Sequence, residues 1–208
     1  MQGRPKGKRN VMKVLVGVTG SIAAYKTASV VSALVSKGHE VRVCMTKAAT
    51  KFVGPVTFSA LSHQPVILDE DEFAHDGHIM HIEMAQEWAE RLLIAPASYD
   101  FIGKLVFLRA DDALSSICAA WRGTILVCPA MNTIMWKNLQ AVLETNPYSI
   151  RRFSMVGDVD PNMIVGMPQL SRKVVMLKPS KKKLACGTDG EGAIRPTRDI
   201  VTFLETHG

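Results

Sequence analysis

Apolar positions along this chain fall into two alternating patterns. Short β-branched runs occur at Lys13 to Thr19 (KVLVGVT), Glu40 to Met45 (EVRVCM), Arg91 to Ala95 (RLLIA) and Thr124 to Cys128 (TILVC), and each reads as a strand. Between the first two, inward-facing positions recur at helical spacing, at Ala23, Thr27, Val30, Val31, Leu34 and Val35, and Gly38 is placed to end that helix. Strands that alternate with helices pair in parallel, and runs that are apolar on both faces need helices on both sides of the sheet. The predicted fold class is therefore α/β, a doubly wound parallel sheet in a Rossmann-like three-layer sandwich. Pro147, Pro161, Pro168 and Pro179 break the stretch from 145 to 183 and predict a less regular excursion before a last helix near Pro196 to Leu204. No internal repeat is visible. Residues 1–12 read as a flexible basic tail and 13–208 as one domain, with the excursion and a flap at about 145–195.

Composition narrows the function. The chain has 208 residues, 47% hydrophobic and 21% charged, which suits a core that needs neither metal nor disulfide. Its longest apolar runs, such as Val14 to Val18, fall far short of the roughly 18 residues a membrane span requires. Cys44, Cys118, Cys128 and Cys186 form no C-x-x-C pair, so the first three are expected to be buried thiols in a reducing cytoplasm. The formal charge of +6 comes largely from Arg4, Lys6, Lys8 and Arg9 in the tail and from Lys181 to Lys183. With 6% aromatic residues and none interleaved with those clusters, a nucleic-acid surface is not expected.

Ligands of such sheets bind at the carboxyl ends of the strands. After the first strand, Gly17-Val-Thr-Gly20-Ser21 reads either as a tight turn with a capping serine or as a phosphate cradle at a helix N-terminus. The second strand ends in Cys44-Met45-Thr46, without the acidic residue that would hold a dinucleotide ribose, so Ser21 and Thr46 favour a mononucleotide of flavin type over NAD. His81 is either an ordinary histidine or a site residue. His75, His78 and His81 share an acidic loop but lack further metal ligands, and no metal is expected. Ser98 follows a strand ending in Pro-Ala, and Asn132 follows another, where its amide could meet a carboxylate. Met135 and Trp136 read equally well as core.

Taken together, Gly-Ser-Ile-Ala-Ala-Tyr-Lys (20 to 26), His-Ile-Glu-Met (81 to 84), Pro-Ala-Ser (96 to 98), Pro-Ala-Met-Asn-Thr-Ile-Met-Trp (129 to 136) and Leu-Ala-Cys-Gly-Thr-Asp-Gly-Glu-Gly-Ala (184 to 193) resemble, in content and order, the flavin-containing cysteine decarboxylases. Within that family the chain is most similar to members that decarboxylate phosphopantothenoylcysteine in coenzyme A biosynthesis. The resemblance implies a flavodoxin-like fold, FMN as cofactor, and assembly as trimers or multiples of trimers with sites between subunits. It implies His81 as catalytic acid or base and Cys186 as the thiol of a flap that opens and closes on Gly187, Gly190 and Gly192. Asn132, with Met131 and Met135, would meet the substrate, and Gly20, Ser21, Thr46, Ser98, Ser115 and Ser116 would surround FMN. The implied reaction oxidises the substrate thiol, releases CO2 and then reduces the product. One departure is Tyr99-Asp100, where the family has Ala-Asn after Pro-Ala-Ser. It keeps a second implication open: a regulatory FMN-binding partner of a phosphatase.

Overall fold

The computed structural model describes residues 11–72, 79–145, 153–156, 173–183, 187 and 189–207. Seven strands, β1 (Lys13–Val18), β2 (Glu40–Met45), β3 (Val66–Ile67), β4 (Arg91–Ala97), β5 (Thr124–Pro129), β6 (Phe153–Val156) and β7 (Lys173–Leu177), form one sheet. Its order is β3-β2-β1-β4-β5-β7-β6, and every pairing is parallel. Strand pleating sends alternate residues to opposite faces. Val14, Val16 and Leu93 therefore join one core, while Leu15, Leu92 and Ile94 join another.

The first core is closed by α1 (Ala24–Ser36), through Val30, Val31 and Leu34, and by α7 (Thr197–His207), through Ile200 and Leu204. The second is closed by α4 (Tyr99–Phe107), α5 (Ala113–Ala120) and α6 (Thr133–Thr145), which supply Phe101, Ile102, Leu114, Ile117 and Trp136. Trp136 is thus a core residue, fully buried, whereas its neighbour Met135 is 41% exposed. The remaining helices are α2 (Pro55–Ser62) and the short α3 (Met80–Ile82), which continues into a π-helical turn at Glu83–Trp88.

The predicted strands and the doubly wound parallel architecture are present. The excursion differs from expectation: β7 lies inside it, and Val174, Val175, Met176 and Leu177 are buried beside β5. Pro179 stands between β7 and the next strand. That strand, β8 (Ser180–Lys183), pairs antiparallel with β9 (Asp189–Ala193) in a hairpin separate from the main sheet. Among the described residues, no helix is long and apolar enough to cross a membrane. Cys44, Cys118 and Cys128 are buried and form no disulfide among the described residues, and burial pushes the Cys44 and Cys128 thiols well above their ordinary range, which keeps those two unreactive.

Candidate functional site

The chain leaves β1 toward β2 on one side, while β4 adds on the other, and this reversal opens a crevice at the carboxyl ends of β1 and β4. Thr19 ties the two ends together. Its buried hydroxyl donates to the Pro96 carbonyl at 2.7 Å and accepts from the Ser98 amide at 2.7 Å. Ser21 bridges to β5 by donating to the Ala130 carbonyl at 3.2 Å, and its Oγ accepts from the Ala23 amide just before α1. Ser98 caps α4 by accepting from the Phe101 amide. Thr46 sits nearly buried at the end of β2 and accepts from Ala49 N.

These turns enclose a cleft of about 710 Å³. Gly20, Ser21, Ser98, Met131, Asn132 and Met135 line it, with Ile22, Phe52, Tyr99 and Ile194 as apolar wall. Lys26 is the only charged side chain on that wall among the described residues, and it makes no ion pair among them. A second lobe of about 440 Å³ shares Gly20, Ser98, Tyr99 and Met135 with the first and reaches Thr46. It is polar, with Asp69, Asp100, Asp111 and Asp112 facing Lys47 and Lys104. Lys104 bonds Asp111 at 2.7 Å and Asp112 at 2.5 Å, and the Asp111 carboxyl is held below its ordinary value mainly by that bond.

Asn132 precedes α6 and caps it, its Oδ1 accepting from the Ile134 amide at 2.8 Å. That bond fixes the side-chain rotamer at the cleft rim. The β8–β9 hairpin docks on the same loop: Met131 N donates to the Gly192 carbonyl at 2.9 Å. A Cβ on Gly192 would lie 2.3 Å from the Met131 carbonyl oxygen, and one on Gly190 2.1 Å from Thr133 Oγ1. Close approach accounts for glycine at these two positions. Gly187 has a positive φ of 85° and nothing within 4 Å of its would-be Cβ.

Two groups of predicted site residues stand apart from the cleft. Ser115 belongs to a capping box at the start of α5: its hydroxyl donates to the Asp112 carbonyl and accepts from the Asp111 and Asp112 amides, while its own amide donates to Asp112 Oδ1. Neither Ser115 nor Ser116 lines either lobe, and Asp111 and Asp112 form that wall instead. His81, on α3, also lines neither lobe, and its Nδ1 is hydrogen-bonded to Glu72 Oε1. Glu72 was not anticipated from the sequence, where it is one acid in the run Asp69-Glu-Asp-Glu72. Cys186, His75 and His78 lie outside the described residues.

The cleft fits a flavin mononucleotide. Ile22, Phe52, Met131 and Met135 offer apolar surface to a planar ring, and the Ser21 turn stands at the positive end of the 13-residue α1, where a phosphate is favoured. The larger lobe carries no carboxylate among the described residues to repel one.

The sequence matches the family described as Flavoprotein over residues 2–207. It is 35% identical over 200 residues to the coenzyme A biosynthesis bifunctional protein CoaBC of Haemophilus influenzae, covering 95% of this chain and 44% of that one. With the protein of the same name from Bacillus subtilis, identity is 33% over 198 residues, covering 95% and 43%. The chain thus spans less than half the length of these two relatives. Among solved structures, a PPC decarboxylase mutant complexed with pantothenoylaminoethenethiol matches with a TM-score of 0.71 at 28% identity, over 94% of this chain and 97% of that one. The FMN binding protein AtHal3 matches with a TM-score of 0.68 at 28% identity, over 93% and 95%. A cleft shaped for flavin, on this fold and with a family match along nearly the whole chain, leads to one conclusion: the chain belongs to the flavoprotein family, among the flavin-containing cysteine decarboxylases close to PPC decarboxylase.

Proposed function

We propose that this chain binds FMN and decarboxylates phosphopantothenoylcysteine (PPC) to phosphopantetheine, a step of coenzyme A biosynthesis in the cytoplasm. The observation that carries the reading is the larger lobe, which has no carboxylate among the described residues and brings together the Ser21 turn at the start of α1, the capped Asn132 and the cation Lys26. An anionic substrate with an apolar arm needs those three features. FMN held there would supply the reversible two-electron chemistry that gives a cysteine carboxylate the electron sink it lacks.

Each residue then has a task. Gly20, Ser21, Thr46 and Ser98 hold the cofactor, and Met131 and Met135 pack on the substrate arm. The Asn132 amide donates to the carboxylate that is lost, in an orientation set by its bond to Ile134. Lys26 meets the phosphate. His81 transfers the proton; it lines neither of the two lobes, and it acts on the site of a neighbouring copy in a trimer or multiple of trimers. Cys186 protonates the product carbon.

A second reading, the regulatory flavoprotein, draws on Asp100, a carboxylate in the smaller lobe where the family resemblance implies an amide. The two readings separate in one experiment. Purified protein is reconstituted with FMN, mixed anaerobically with PPC, and followed by flavin absorbance and CO2 release. A flavin band that bleaches and recovers as CO2 appears supports the decarboxylase, and His81→Asn should then stay yellow without turnover. A band that stays oxidised, with no CO2, refutes the decarboxylase and leaves the regulatory reading.

A further inference from the structure

Glu72 is an expensive residue to place where it is. It directly follows a single 3-10 turn, Asp69–Asp71, whose three acids are none of them buried, yet Glu72 itself is only 4% exposed. One carboxylate oxygen, Oε1, meets His81 Nδ1, and the other, Oε2, is buried with no hydrogen-bond partner among the described residues. Besides His81, the charged groups facing Glu72 make its charge less welcome, since Asp69 and Asp112, at the cap of α5, are both acidic, and the carboxylate in turn helps keep the Cys44 thiol of β2 neutral. Burial is the largest of these effects, and together they raise the carboxyl above its ordinary value. A buried acid with a single partner contributes little to stability compared with an apolar side chain of the same size. What it does provide is direction.

The backbone that continues from His81 is held as well. The π-helical turn begins two residues after His81, and wide turns of this kind are found at functional sites. Arg42 holds that turn by bonding Glu83 at 3.3 Å and by lying 4.7 Å from the Trp88 ring centroid.

We infer that Glu72 is the positioning residue for His81, accepting its Nδ1–H so that Nε2, on the opposite edge of the ring, is the atom that exchanges a proton with substrate. The inference rests on the proposed decarboxylase reading, in which His81 is the proton-transfer group. No net chemistry is added: the Nδ1 proton stays on the histidine, and only Nε2 gains and loses one.

The test uses the FMN-loaded protein with 15N-labelled histidine. Wild type should show His81 protonated at Nδ1 when neutral. Glu72→Ala should mix the two tautomers, and Glu72→Gln, whose amide can donate, should favour the other one. In both variants kcat should fall about 10- to 100-fold, with KM and flavin affinity within about twofold of wild type, and Glu72→Asp should recover part of the loss. Unchanged His81 tautomer and unchanged kcat in Glu72→Gln would overturn the inference; this conservative variant also decides the matter if Glu72→Ala fails to fold. His81→Asn separates the two levels. If it is inactive while Glu72→Gln turns over normally, the positioning role is wrong and the decarboxylase reading stands; if His81→Asn is fully active, the proton-transfer role of His81 is what fails, and positioning fails with it.

Discussion

Replacing Gly192 by alanine tests whether the β8–β9 hairpin is a docked wall of the site. The backbone there has φ of 142°, a region in which a side chain is strained by about 1–3 kcal/mol. The new Cβ would meet the Met131 carbonyl oxygen at 2.3 Å, well inside van der Waals contact, and that oxygen belongs to backbone that cannot rotate away. The hairpin must lift, and the 2.9 Å bond from Met131 N to the Gly192 carbonyl goes with it, a further loss of about 0.5–1.5 kcal/mol. Together these shift the docking equilibrium by about 2–4 kcal/mol, or roughly 30- to 1000-fold. If the docked hairpin completes the site, kcat/KM for CO2 release should fall by that order. Flavin affinity should change less, because the Ser21 and Ser98 turns do not touch Gly192. Gly187→Ala is the control: its φ is 85° but nothing stands within 4 Å, so strain alone is expected and the site should stay assembled. Stopped-flow flavin reduction, CO2 release and a thermal melt on both variants decide it. Wild-type kcat/KM in Gly192→Ala would show that hairpin docking has no part in turnover, however well the glycine fits its place.

Three further outcomes follow from the same geometry. Ser115→Ala removes a hydroxyl that closes the α5 capping box, so it should cost about 1–2 kcal/mol, a fall in Tm of roughly 2–8 °C, with FMN affinity unchanged by fluorescence titration; a large loss of affinity would return Ser115 to the cofactor site. Thr19→Val keeps the shape but strands the Ser98 amide and leaves the Pro96 carbonyl only its 3.3 Å bond from the residue 19 amide, so about 1–3 kcal/mol should be lost in urea unfolding together with FMN affinity; unaltered stability would mean the hydroxyl bridge between β1 and β4 is dispensable. Because burial raises the Glu72 carboxyl, the folded state holds that proton more tightly than the unfolded chain does, and stability falls as pH rises from the ordinary carboxylate range through the raised value; Glu72→Gln should lack this segment of the stability–pH curve, and identical curves for the two proteins would contradict the burial argument.

How much of this was legible in the sequence depended on the range of the interactions involved. Runs such as KVLVGV and TILVC declare themselves because a strand buried on both faces admits only apolar residues, and the turns after them mark the ligand end through helix termini and capping. Strand order is set by packing between distant segments: β7 pairs with β5 although a long stretch of chain separates them, and the prolines around it suggested irregularity where a buried strand KVVML stands. Short polar residues misled in a different way. Ser21, Ser98 and Ser115 are alike as sequence signals, since a serine at a helix start satisfies orphan amides wherever that helix points; only the fold shows that the first two border the cleft and the third does not. Gly190 and Gly192 likewise read as mobility in a glycine-rich run, and only the fold shows the Met131 and Thr133 atoms that leave no room for a Cβ. Glu72 was the least visible of all. Nothing in Asp-Glu-Asp-Glu tells which acid turns inward, and its importance exists only once the chain has brought His81 to it across a loop and left it one partner to charge.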